Sequence, residues 1–126
     1  NLATLKKGPL EPDDLKELVV KTLDLNKATD IEVIDLAHNA HLADHMIVCT
    51  GTSSRQVVSL AQKLIEKLHF YDITEIRKEG LNTGDWVVLD TGDIIVHIFR
   101  PEVRGFYNIE MMWGDFSATG AAPQHA

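Results

Sequence analysis

The apolar positions of this chain change period along its length, and each change predicts an element. Leu15, Leu18 and Val19, continued by Thr22 and Leu25, recur at helical spacing. They follow Pro12-Asp13-Asp14, where a proline suits the first helical position and acids suit the positive end of the helix dipole. A first helix is therefore expected to end near Asn26. Asp30 to Ala37 alternates in part and predicts a strand, followed by a polar loop over 38–44. His45-Met46-Ile47-Val48-Cys49-Thr50 is more continuously apolar, which predicts a central strand.

Gly51-Thr52 then turns the chain into a second helix. Ser53, with Gln56 three residues on, fits a capping box. Val57, Val58, Ala61, Leu64, Ile65 and Leu68 form one apolar stripe, while Lys63, Glu66 and Lys67 fall off it. Ile73 to Glu79 reads as a weaker strand, suited to a sheet edge. Trp86 to Asp90 and Asp93 to Phe99 read as two further strands joined by a tight turn at Thr91-Gly92. Alternation in the second places His97 with Ile95 and Phe99, opposite Ile94, Val96 and Ile98. Pro101 opens a closing helix expected to reach Trp113, with Phe106, Ile109, Met112 and Trp113 toward the core. Gly105 weakens that helix by about 1 kcal/mol relative to alanine.

The order α-β-β-α-β-β-β-α predicts a single-domain α/β sandwich, with a mixed sheet of about five strands covered by helices. If the Cys49 strand and the strand after the second helix are parallel, a right-handed crossover joins them. The domain is expected over 13–113, between a flexible N-terminus (1–12) and a disordered tail (114–126) rich in Gly, Ala, Ser and Pro.

Composition narrows the class. The chain has 126 residues, enough for one core without disulfides or a structural metal. Its single cysteine, Cys49, excludes an internal disulfide framework and suits a reducing, cytoplasmic setting. No apolar run approaches the roughly 18 residues of a membrane span. The opening Asn1-Leu2-Ala3-Thr4-Leu5-Lys6-Lys7 does not read as a signal peptide, and the absence of an initial methionine reads as a processed start or an expression remnant. The net charge of −7 lowers the expectation of nucleic-acid binding, which needs a positive surface, and favours basic protein partners.

That charge is concentrated. Glu79 to Asp93 carries Glu79, Asp85, Asp90 and Asp93 and no Lys or Arg, with Trp86 at the strand entry. Three acids there could suggest a two-metal site, but such sites place two acids at alternate strand positions. Asp85 and Asp90 are five apart and face opposite sides, and Asp90 and Asp93 flank a turn. A solvated acidic rim or partner surface fits better. Trp86 reads equally as core or as an interface anchor by position, and the acids on both sides favour contact with a partner. Tyr107 and Trp113 read more readily as core than as contact residues.

Other clusters are weaker. Thr50 to Arg55 follows a strand and opens a helix, a geometry that can hold an anion, but it lacks the Walker loop's length and its terminal Lys-Ser/Thr. A capped helix start is the plainer reading. His38, His41 and His45 resemble a metal-ligand spacing, yet they fall in a loop and a strand start. Solvated or locally bonded histidines fit them better. No Ser or Cys has an evident His and acid partner, and Cys49 in an apolar strand reads as inert.

Several of these segments together resemble the ribosomal silencing factor family, also called Iojap or RsfS. They are Ala43-Asp44-His45-Met46-Ile47-Val48-Cys49-Thr50-Gly51-Thr52-Ser53-Ser54-Arg55, Glu79-Gly80, Asp85-Trp86, Asp90-x-Gly92-Asp93-Ile94-Ile95-Val96-His97-Ile98-Phe99, and Tyr107-Asn108-Ile109-Glu110-Met111-Met112-Trp113. The resemblance spans about 13–113. Met112 stands where the family commonly has Leu, and the tail beyond Trp113 is longer than typical.

The resemblance implies a fold related to nucleotidyltransferases without their catalytic acids, no enzyme activity and no cofactor. It implies binding to large-subunit ribosomal protein fourteen, a basic β-barrel, so that the small subunit cannot join. Translation is then repressed under nutrient limitation, and in some lineages subunit assembly is assisted. The contact carries over to Glu79, Asp85, Trp86 and Asp90, and to Tyr107. No membrane and no sequence-specific nucleic-acid contact is expected. An exposed acidic-aromatic face can also self-associate, giving a homodimer when the protein is free. The alternatives are a small nucleotide-binding or nucleotidyltransferase-like enzyme using Thr50–Arg55 and the nearby acids, and a metal module at the three histidines.

Overall fold

The computed structural model describes residues 11–36 and 43–107. Its elements run α1 (Pro12–Leu25), β1 (Thr29–Asp35), β2 (His45–Thr50), α2 (Ser54–Phe70), β3 (Arg77–Glu79), β4 (Trp86–Asp90), β5 (Ile94–Phe99) and α3 (Pro101–Tyr107). The expected element order is therefore observed.

Helix α1 starts at Pro12 with Asp13 and Asp14 in its first turn. Leu15, Leu18, Val19, Thr22 and Leu23 are buried, whereas Leu25 is 76% exposed. The expected stripe is corrected at its end. Leu23, four residues past Val19, keeps to the buried face, while Leu25 is the last residue of the helix and lies on the flank of that face. The buried Thr22 hydroxyl donates to the Leu18 carbonyl at 2.8 Å, so its burial leaves no unmet donor.

Helix α2 is capped as expected, the Ser53 hydroxyl accepting from the Gln56 amide at 3.1 Å. The return half of the box lands one residue earlier. Gln56 Oε1 accepts from the Thr52 amide at 2.6 Å and from the Thr52 hydroxyl at 2.8 Å. Val57, Leu60, Ala61, Leu64 and Leu68 are buried, so Leu60 joins the stripe while Val58 and Ile65 are half-buried on its flanks.

The sheet order is β1-β2-β5-β4-β3, with β2 and β5 parallel and the other pairs antiparallel. The Cys49 strand is thus central, but the strand after α2 is not its neighbour. The crossover passes over two positions to the far edge, and β5 fills the gap beside β2. The weak strand expected over Ile73–Glu79 shrinks to Arg77–Glu79, since Asp90 ends β4 opposite Arg77 and leaves the earlier residues nothing to pair with. The hairpin turn also moves one step. Thr91 and Ile94 close it with a 3.0 Å backbone bond, which puts Gly92 and Asp93 at the tip. The Asp90 carboxylate accepts from the Gly92 amide at 2.8 Å and holds the bend.

Alternation in β5 sorts the two faces as the sequence predicts. Ile94, Val96 and Ile98 join Ile47, Cys49, Val87 and Leu89 under α1 and α2. Phe99 packs with Leu36, Met46 and Val48 on the opposite face, where Ile34, Trp86, Ile95 and Val103 flank it. Val103 belongs to α3, which covers one end of that second face. Its Arg104 donates to the Thr50 hydroxyl at 2.9 Å and to the Asp30 carbonyl, tying the helix across β2 and β1. The expected extension of α3 to Trp113, the packing of Phe106, Ile109, Met112 and Trp113, and both termini lie outside the described residues.

Candidate docking face

The side of the sheet away from α1 and α2 gathers three of the residues singled out in the sequence, Glu79, Trp86 and Asp90. Strand pairing sets Trp86 opposite Phe99, Val88 opposite His97, and Asp90 opposite Ile95. On the other edge Glu79 pairs with Val88 and Arg77 with Asp90. Side chains alternate along a strand, so Glu79, Trp86, Val88 and Asp90 share this face. Glu79 is exposed, and Trp86 and Asp90 are half-buried.

Trp86 is held by two rings of the adjacent strand. Its ring centroid lies 4.9 Å from that of Phe99 at a 35° tilt. Its indole Nε1–H donates to His97 Nδ1 at 2.9 Å. His97 itself is 5% exposed and stacks on Phe99, with ring planes 9° apart. The tryptophan is thus held by two neighbouring rings and stays half-buried. The sequence reading placed His97 on the face of Ile95 and Phe99 but did not name Trp86 as its partner. The alternation that puts His97 on Trp86's side was the available signal.

Asp85 is set apart from this group. It precedes β4, and its Oδ1 lies 2.9 Å from Arg100 Nε. The Ser54 hydroxyl at the start of α2 donates to the same oxygen at 3.4 Å. Arg100 also reaches Glu102 at 3.5 Å. Cations nonetheless border an acidic stretch that contains none, with Arg77 across from Asp90 and Arg100 beside Asp85. Tyr107 ends α3, and its side chain lies outside the described residues.

The other clusters gain no chemistry. Asp85 and Asp90 stand at opposite ends of β4, the one ion-paired and the other holding a turn. No group of three or more His, Cys, Asp or Glu among the described residues is placed to hold a metal ion. His38 and His41 lie outside the described residues, and His45 sits 3.9 Å from the exposed Asp13. Burial pushes the Cys49 thiol up to about 12, outweighing the opposing field of Arg104, so it stays protonated and unreactive near neutrality. No helix among the described residues is long and apolar enough to cross a membrane.

Fold and site together define a small α/β domain with an aromatic, acid-edged sheet face. A family model described as "Ribosomal silencing factor during starvation" matches residues 9–125, and the chain belongs to that family. It is 48% identical over 104 residues to the ribosomal silencing factor of Zymomonas mobilis, covering 82% of this chain and 78% of that protein. A crystal structure of a protein from Chromobacterium violaceum superposes with a TM-score of 0.79 at 36% identity, covering 93% of each chain. A more distant mouse relative, named for mitochondrial assembly of the ribosomal large subunit, is 27% identical over 117 residues, which cover 88% of this chain and 51% of that protein.

Proposed function

We propose that this protein is a noncatalytic silencing factor that docks on the large ribosomal subunit and sterically blocks joining of the small subunit. The contact is with the basic large-subunit ribosomal protein fourteen. The outcome is repression of cytoplasmic translation under nutrient limitation. One observation carries the reading: Trp86 is fixed by Phe99 and His97 on a sheet face that it shares with Glu79 and Asp90. A rigid aromatic anchor beside carboxylates is complementary to a basic protein surface. The mouse relative's name points to the same subunit. The contact extends to Asp85, at the cost of its ion pair with Arg100, and to Tyr107. Free protein uses the same face to form a homodimer.

Purified protein mixed with separated subunits and sedimented tests this directly. Co-sedimentation with the large subunit and loss of joined particles is the expected result. Joined particles in undiminished amount, at saturating protein, would overturn it. The nucleotide-handling alternative draws no support from the carboxylates, which do not converge.

A further inference from the structure

We propose that His97 is the positioning residue of the docking face: its Nδ1 lone pair fixes the Trp86 indole in the orientation that a partner reads. The proposal rests on the reading of Trp86 as the anchor. Three observations carry it. The Trp86 Nε1–H can only donate, and it meets His97 Nδ1 at 2.9 Å. His97 is 5% exposed and sits in register between Val48 of β2 and Val88 of β4, so its ring has little freedom to turn. Phe99 holds the indole from a second direction, 4.9 Å between centroids. An apolar ring alone leaves a tryptophan able to slide or rotate about its contact. One directed hydrogen bond removes that freedom.

The bond also defines the imidazole. An Nδ1 that accepts carries its lone pair, so the ring proton sits on Nε2. Only a group with an acceptor at the Nδ1 position can replace it. Asparagine offers its Oδ1 there, whereas glutamine places its oxygen nearer the Nε2 position and leucine offers none. An anchor ordered before contact spares the complex the cost of freezing it on binding.

The test compares His97→Asn, His97→Gln and His97→Leu in the full chain carrying Trp113→Phe, so that Trp86 gives the only indole signal. Two readouts are taken: the Nε1–H resonance in a proton–nitrogen correlation spectrum, and affinity for purified large subunits. H97N is expected to keep the downfield, slowly exchanging indole proton and to bind within about twofold of the parent. H97Q and H97L are expected to lose that resonance position and to bind about tenfold more weakly, the scale of one rotamer newly ordered on binding. H97Q keeps the test open should H97L fail to fold.

Equal loss of the indole signal in H97N and H97Q would overturn the proposal, because packing and not the acceptor would then be at work. So would parent-like affinity of H97Q and H97L when Trp86→Ala, in the same assay, weakens binding by roughly 30-fold. Parent-like binding by Trp86→Ala itself, with the indole response as expected, would instead overturn the docking reading and leave the positioning of the indole standing.

Discussion

Asp85 and Arg100 clasp each other twice across the open end of the β4–β5 hairpin. The carboxylate Oδ1 lies 2.9 Å from Arg100 Nε, and the Arg100 amide donates to the Asp85 carbonyl at 3.1 Å. Both side chains are partly exposed, so water and salt screen the charge pair. Asp85→Ala and Arg100→Ala are each expected to cost under about 1 kcal/mol, with a double-mutant coupling of about 0.5 kcal/mol. Urea melts of the four proteins check this. A coupling of zero would show the pair to be incidental. Asp85→Lys is expected to destabilise more, since it sets a second cation beside Arg100. Loss of ribosome binding by that variant therefore has to be read against its own melting curve.

Gly80 and Gly92 both have positive φ, 84° and 96°, but their surroundings differ. A Cβ on Gly80 would stand 2.0 Å from the Trp86 carbonyl oxygen, whereas one on Gly92 meets nothing within 4 Å. Gly92→Ala is expected to cost about 1 kcal/mol, from backbone strain alone. Gly80→Ala adds a collision with backbone that cannot move aside cheaply, and is expected to cost about 3 kcal/mol or more. Because the atom struck belongs to Trp86, Gly80→Ala should also shift the tryptophan emission. Equal melting temperatures for the two variants would contradict the geometry.

Cys49 makes a prediction about reactivity and alkali. Its thiol is raised from 9.0 to about 12 by burial, so the folded protein holds a proton that the unfolded chain releases. Below about pH 9 both states are protonated and the group contributes nothing to pH dependence. Stability should fall as pH rises from 9 toward 12, and Cys49→Ala should remove part of that slope. At pH 8 an aromatic disulfide reagent should label native protein only at the rate of unfolding. Prompt labelling without denaturant would refute the buried, protonated thiol.

Much of the fold is legible because it follows from local period. Alternation in β5 places His97 and Phe99 on one face and Val96 and Ile98 on the other, and the structure keeps that division. The start of α2 is legible because Ser53 caps it within the same turn. Contacts between distant segments leave no such trace. The pairing of β2 with β5 joins strands that a helix and two other strands separate along the chain. The same holds for the proposed docking face. Glu79, Trp86 and Asp90 stand out as an acidic stretch with an aromatic, but Arg100 becomes Asp85's partner only once the hairpin closes. The indole bond to His97 likewise needs the β4–β5 register, which no residue type announces.

Binding kinetics should separate the two chemistries of the proposed docking face. Glu79 is exposed at the sheet edge, and Asp90 stands on the same face with Arg77 opposite it. Charges at an interface rim act mainly on the encounter, through a field that salt screens over roughly 10 Å at 0.1 M. Glu79→Lys and Asp90→Lys should therefore slow association with the large subunit several-fold and flatten its dependence on salt, with dissociation little changed. The effect of Asp90→Lys should be the larger, because it also leaves Arg77 facing a like charge and frees the Gly92 amide that holds the turn. Trp86 acts by contact. Its truncation to alanine removes the anchor and should speed dissociation by roughly 30-fold, corresponding to about 2 kcal/mol, while association and its salt dependence stay near the parent's. Surface-immobilised large subunits, with association and dissociation read at three salt concentrations, distinguish the two patterns. If Trp86→Ala and Glu79→Lys changed the same rate constant with the same salt dependence, this division of labour between the anchor and the acidic edge would be wrong.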